Sequence, residues 1–111
     1  MISSDVIRGH IDTIILKLLL EKDRYGYELA NEIKERTQSK FDIKEATLYS
    51  VVQRLEQKEL ISSYMGEKSH GGKRRYYKVT PLGRAYYKEM VQEYRLLGQI
   101  MKAMLGSELY E

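Results

Sequence analysis

The chain has 111 residues, 42% hydrophobic and 32% charged, with a net charge of +3 and no cysteine. That composition excludes a disordered chain, a disulfide framework and thiolate metal sites, and the length fits one domain. The longest apolar run, 14–20, is broken by Lys17 and too short to span a bilayer. The start MISSDVIRG lacks the basic-then-apolar pattern of a signal peptide, so the expected location is the cytoplasm.

Ser3 and Ser4 are suited to cap a first helix running to about residue 20. Ile7, Ile11, Ile14, Ile15 and Leu18 recur at the helical period, and Leu16 and Leu20 lie off that stripe, implying a second buried side. The β-branched content of 11–16 leaves a strand open there, but length and spacing favour a helix. Residues 21–25 read as a turn. A second helix is expected over 26–37, with Leu29, Ala30 and Ile33 inward and Glu28, Glu32, Lys34 and Glu35 outward on a solvated face. The polar loop 37–42 carries Phe41 as its expected buried anchor.

A third helix is expected over 45–59. Leu48, Val51, Val52 and Leu55 fall on one side and Ala46, Ser50, Gln53, Arg54 and Gln57 on the other. The outer face is small and polar, which suits entry into a major groove about 12 Å wide. Residues 60–65 and 74–79 read as two strands, with Tyr77 and Val79 on one face and Tyr76 and Lys78 on the other. The segment between them holds Ser69, His70, Gly71 and Gly72, a turn signal in a loop longer than a tight hairpin needs, so flexibility is expected there. Between Gly66 and Val79 stand five basic residues (Lys68, Lys73, Arg74, Arg75, Lys78) and one acid (Glu67), a net of +4 that leaves about −1 for the rest. Charge gathered on one hairpin is the footprint of a phosphate-contacting element.

Thr80 is a suitable N-cap and Pro81 fits the first position of a final helix reaching about residue 105 and ending near Gly106. Tyr87, Met90, Tyr94, Leu97, Met101 and Met104 are spaced three and four apart, a heptad pattern. A helix of about 25 residues is roughly 37 Å long, too long for so small a domain to cover, and this implies a homodimer. The fold class is therefore mainly α with a minor β part. It is a winged helix-turn-helix over 1–80 followed by a C-terminal dimerisation helix over 81–111, within one compact domain.

A run such as KRRYYK is, in isolation, more often a solvated surface, and the outer face of the third helix would be ordinary solvent-facing surface on a lone helix. Three stretches bear on this choice. RYGYELANEIKER, KEATLYSVVQRLEQKELI and GGKRRYYKVTPLG, in that order, closely resemble the PadR family of bacterial transcriptional regulators, in particular its small subfamily with a single C-terminal helix. The resemblance covers about residues 8–87 strongly and the last helix by length and position. It implies a homodimeric repressor that binds double-stranded DNA at a pseudo-palindromic operator. Thr47, Tyr49, Ser50, Gln53 and Arg54 are then the expected groove contacts, with Gln53 suited to adenine and Arg54 to guanine or a phosphate. Lys73, Arg74 and Arg75 are expected on phosphates or in a minor groove, and Tyr76 on a phosphate. The family commonly has Ser or Asn at the position of Lys44, so the usual cap of the third helix is missing, and Lys44 is placed to touch a phosphate instead.

Some relatives bind planar hydrophobic effectors between tryptophans at the dimer interface. This chain has no tryptophan, and Tyr94 stands at the corresponding position. Met90, Tyr94 and Leu97, with Val6 and Asp12 by resemblance, form the candidate effector set; plain dimer packing is the competing reading of the same residues. His10 and His70 are isolated, and neither a glycine-rich phosphate loop nor a nucleophile elbow occurs. No catalytic residue, cofactor or metal is expected. The alternative function is an interaction module that keeps the winged fold without specific DNA binding, and a winged helix also suits RNA.

Overall fold

The computed structural model describes residues 1–69 and 72–110. The Ser3 side chain accepts the Val6 N–H at 3.3 Å and caps a short helix α1 (Ser4–Ile7). A 3-10 turn (Arg8–His10) separates it from α2 (Ile11–Glu21), so the single first helix expected from the sequence is interrupted. Gly9 lies in the break, and α1 has no buried residue whose packing would offset the roughly 1 kcal/mol that glycine costs a helix. α2 buries Ile11, Ile15, Leu16, Leu18 and Leu19, using the second side as well as the main stripe.

The expected turn at 21–25 contains a strand, β1 (Arg24–Tyr25), which pairs antiparallel with the wing. Arg24 in this strand is only 6% exposed. The guanidinium donates to the Leu18 carbonyl at 3.1 Å, an orphan acceptor in the last turn of α2, and to Glu21 and Glu32 at 3.0 and 3.3 Å. Arg36 donates to the same two carboxylates at 2.6 and 2.9 Å. Glu32, expected on a solvated face, is thus part of an ion network that joins α2 to the next helix, to which Lys17 adds a contact with Glu21. The Arg36 hydrogen bond holds the Glu21 carboxyl at about 2, below its ordinary 4.5, and lowers Glu32 likewise. These carboxylates stabilise the fold above pH 4.5, and the contribution of Glu21 is lost as pH falls toward about 2.

Helix α3 (Gly26–Arg36) buries Leu29 and Ile33, and Glu28 accepts the Tyr25 N–H at its start. In the loop that follows, Phe41 is only half-buried against the core. Ile43, 6% exposed, is the residue that anchors the loop. Helix α4 (Glu45–Gln57) buries Leu48, Val51, Val52 and Leu55, the four residues read as its inner face.

The wing is β2 (Ile61–Ser69) and β3 (Gly72–Val79), and the sheet order is β1-β3-β2. Pairing runs from Ile61↔Val79 through Tyr64↔Tyr76 to Ser69↔Gly72, with one irregularity between Met65 and Lys68. The strands therefore extend well beyond 60–65 and 74–79, and the long flexible loop expected between them is replaced by ladder on both sides. The remaining positions, His70 and Gly71, lie outside the described residues. Alternation holds on β3, where Tyr77 is buried and Tyr76 and Lys78 face the other way.

Thr80 caps α5 (Pro81–Leu105) by accepting the Gly83 N–H at 3.0 Å, and donates to the Glu59 carbonyl at 2.7 Å. α5 starts packed beside Leu60, at the root of β2, and passes α2. A 3-10 turn, Gly106–Tyr110, ends the described chain. Of the whole of α5, only Gly83 is fully buried. A β-carbon there would lie 2.0 Å from the Leu60 carbonyl oxygen. Gly83→Ala is expected to cost about 1–3 kcal/mol and lower Tm by several degrees in a thermal circular dichroism scan. An unchanged Tm would mean that α5 does not cross Leu60 this closely.

Candidate nucleic-acid interface

With its apolar face fully used against α2 and α3, α4 turns Ala46, Thr47, Ser50, Gln53 and Gln57 to solvent. Lys44 precedes it in extended backbone (φ −71°, ψ 145°) and makes no side-chain cap, as the sequence led one to expect. Tyr49 is 42% exposed and leans on the start of α3, where a β-carbon on Gly26 would lie 2.8 Å from its hydroxyl. Glycine at 26 is what lets the two helices of the helix-turn-helix close to this distance. Arg54, which shares a helix face with Thr47 and Ser50, forms an ion pair with Asp12 of α2.

The three basic residues of the wing have different surroundings. Lys73 is exposed. Arg75 Nη1 donates to Ser63 Oγ at 2.9 Å, and Ser63 donates to Glu56 Oε2 at 2.7 Å, so the wing is tied to the last turns of α4. Arg74, one residue along and therefore on the opposite sheet face, lies 4.4 Å over the Tyr25 ring, a cation–π contact. Tyr76 is held on that same face, 5.5 Å edge-on from Tyr25 and 5.8 Å stacked on Tyr64. The Tyr64 hydroxyl donates to Asp23 at 2.5 Å, which raises the phenol above its ordinary value. Tyr76 is thus a half-buried member of an aromatic ladder rather than a free surface side chain.

The ladder and the Ser63–Glu56 link escape a reading of the sequence. Once Ile61 is paired with Val79, Tyr64 must oppose Tyr76, so the hairpin register holds that signal. No local pattern reveals that Ser63 meets Glu56.

The five effector candidates are not brought together. Tyr94 lines a cavity of about 410 Å³ between α2, α3 and α5, and its hydroxyl lies 2.5 Å from His10 Nδ1. Ile14, Leu18 and Tyr87 share the lining, with the buried Thr13 hydroxyl, which has no hydrogen-bond partner among the described residues. Met90 is half-buried one turn from Tyr94, whereas Val6 and Leu97 are exposed. Asp12 is committed to Arg54 and does not line the cavity. Among the described residues, no group of three or more His, Asp or Glu side chains is arranged to hold a metal, and no helix is long and apolar enough to cross a membrane.

Residues 15–89 match the Transcriptional regulator PadR-like family. A Lysinibacillus sphaericus protein of uncharacterised function is 58% identical over 101 residues, covering 91% of this chain and 93% of that one. A solved transcriptional regulator from Clostridium thermocellum is 48% identical, with a TM-score of 0.85 over 93% of this chain and 97% of its own. A PadR family transcription regulator from Clostridium difficile is 42% identical, with a TM-score of 0.79 over 88% and 100%.

A β-carbon on Gly66 would lie 2.3 Å from the Tyr76 ring, so the ladder requires glycine beneath it. Gly66→Ala is expected to displace that ring and weaken the tyrosine near-ultraviolet circular dichroism, leaving the far-ultraviolet helix signal intact. An unchanged near-ultraviolet spectrum would count against the ladder.

Proposed function

The chain belongs to the PadR-like family of transcriptional regulators, and from that premise we propose that it acts as a homodimeric, sequence-specific DNA-binding repressor. The observation that carries this reading is the link between α4 and the wing. Arg75, Ser63 and Glu56 join the two elements whose exposed faces carry the candidate contacts, so helix and wing would meet DNA as one preset surface. Thr47, Ser50 and Gln53 would enter the major groove. Tyr49 and Lys44 would reach the flanking backbone, and Lys73, Arg74, Arg75 and Tyr76 would hold phosphates beside the groove. Arg54 would contact the groove edge from its position beside α2.

Dimerisation is supported by the far half of α5, which leaves Leu96, Leu97, Ile100, Met101 and Met104 at 37–78% exposure on a protruding helix. Monomers rarely leave so contiguous an apolar surface open. In this division, residues 1–80 bind DNA and 81–111 pair the two copies. Two recognition helices about 34 Å apart would fit successive major grooves of a pseudo-palindrome. The cavity at Tyr94 supports a planar apolar effector as the signal that releases DNA, acting by favouring one separation of the helices over another. The setting is cytoplasmic, on the nucleoid.

Fluorescence anisotropy provides the test, using a duplex from upstream of this protein's own gene and a scrambled duplex of equal length. The wild type is expected to prefer the native duplex. In Arg74→Ala/Arg75→Ala the dependence of log K on log salt is expected to become shallower by about one for each phosphate the variant leaves unneutralised. Equal, weak binding to both duplexes would overturn the repressor reading.

A further inference from the structure

Arg54 and Asp12 are 42 residues apart in the chain and form an ion pair across the α2–α4 contact. The Asp12 side chain is 14% exposed and Arg54 44%. Among the described residues each is the other's only ion-pair partner. Asp12 is in the first turn of α2, beside Ile11 at 4% exposure, so the helix backbone that carries its carboxylate is fixed by the core. Arg54 follows Gln53 on α4 and precedes Leu55, 0% exposed, which fixes its backbone too. The pair occupies one terminal guanidinium nitrogen, Nη2, and among the described residues the other donors of the fork make no hydrogen bond.

The geometry points to Asp12 as a positioning residue for operator recognition, one that sets the aim of Arg54 and cancels its charge before DNA arrives. This rests on the DNA-binding reading above. A long arginine that is already held loses little side-chain freedom on contact, so its hydrogen bonds go further toward selecting a base. A paired arginine also adds no net charge to the interface. Arg54 then contributes to discrimination between sequences and little to the salt-dependent attraction that all DNA shares. An unpaired arginine at the same position would do the reverse, serving as one more mobile cation for any nearby phosphate.

The test measures anisotropy on the upstream and scrambled duplexes across a salt series, with melting temperatures as a control on folding. Asp12→Asn is expected to reduce the preference for the native duplex by about tenfold, the value of one well-formed base contact, and to steepen the salt slope by about one, the freed cation's share. Asp12→Asn/Arg54→Gln removes both charges together. It is expected to show the same loss of preference with a wild-type slope. Arg54→Gln alone changes an exposed side chain and keeps the test decisive if the Asp12 variants do not fold, because it too must lose the preference. A double variant whose slope is shallower by about one with preference intact would make Arg54 an ordinary phosphate contact and overturn the inference. Asp12→Asn with wild-type preference and slope would also overturn it, reducing the pair to a structural bond. A wild type without any preference would instead remove the DNA-binding reading, and this inference with it.

Discussion

The burial of one face of α4 is the constraint on which everything else depends. Leu48, Val51, Val52 and Leu55 are each 4% exposed or less, and burying side chains of this kind contributes about 1.5–3 kcal/mol apiece. Ile15, Leu16, Leu29 and Ile33 from α2 and α3 belong to the same core. Because that face cannot turn outward without losing most of this stabilisation, the residues opposite it are committed to solvent or to a partner. The polar character of Thr47, Ser50 and Gln53 fits this constraint, since they add nothing to the core and leave the helix free to approach a groove.

The constraint extends to the elements on either side. After α4, Leu60 and Ile61 enter the core and set the root of the wing. Tyr77 comes back across it, and strand alternation then sends Arg74 and Arg75 to opposite sheet faces. Arg75 is tied to α4 through Ser63 and Arg74 rests on Tyr25, so the two adjacent arginines are positioned by different elements. Gly83 lets α5 leave the sheet at close range. From there the helix runs out of core to cover, and its later apolar residues stay exposed within the single chain. That contrast between a tightly packed first turn and an uncovered far half is the physical argument for a second copy.

Much of this is legible in the sequence because it is written in short-range periodicity. The three-and-four spacing of Leu48, Val51, Val52 and Leu55 identifies a helix and its inner face together. Thr80-Pro81 marks the start of α5, and the alternation of Tyr76 and Tyr77 assigns the wing's faces. The features that escape the sequence depend on partners distant in the chain. Arg24 reads as a turn residue until Leu18, Glu21 and Glu32 are brought around it, and β1 forms only because β3 passes beside it. Glu32 reads as solvent-facing because Arg36 and Arg24 converge on it only in the folded chain. The break at Gly9 is hidden because the apolar stripe continues through it, while the packing that would hold the helix together there is absent. At the candidate interface the residue types are readable, but the aim of each side chain is not. Arg54 reads as a free groove contact and Asp12 as part of a different set of residues, and only the fold brings the two together.

If two copies present their α4 helices to one face of a duplex, one helical turn apart, hydroxyl-radical footprinting on the DNA upstream of this protein's own gene reads that arrangement most directly. The expected result is a pair of protected patches centred about 34 Å apart, each with weaker flanking protection where a wing lies on the backbone. A single protected patch, or uniform protection that ignores sequence, would contradict it.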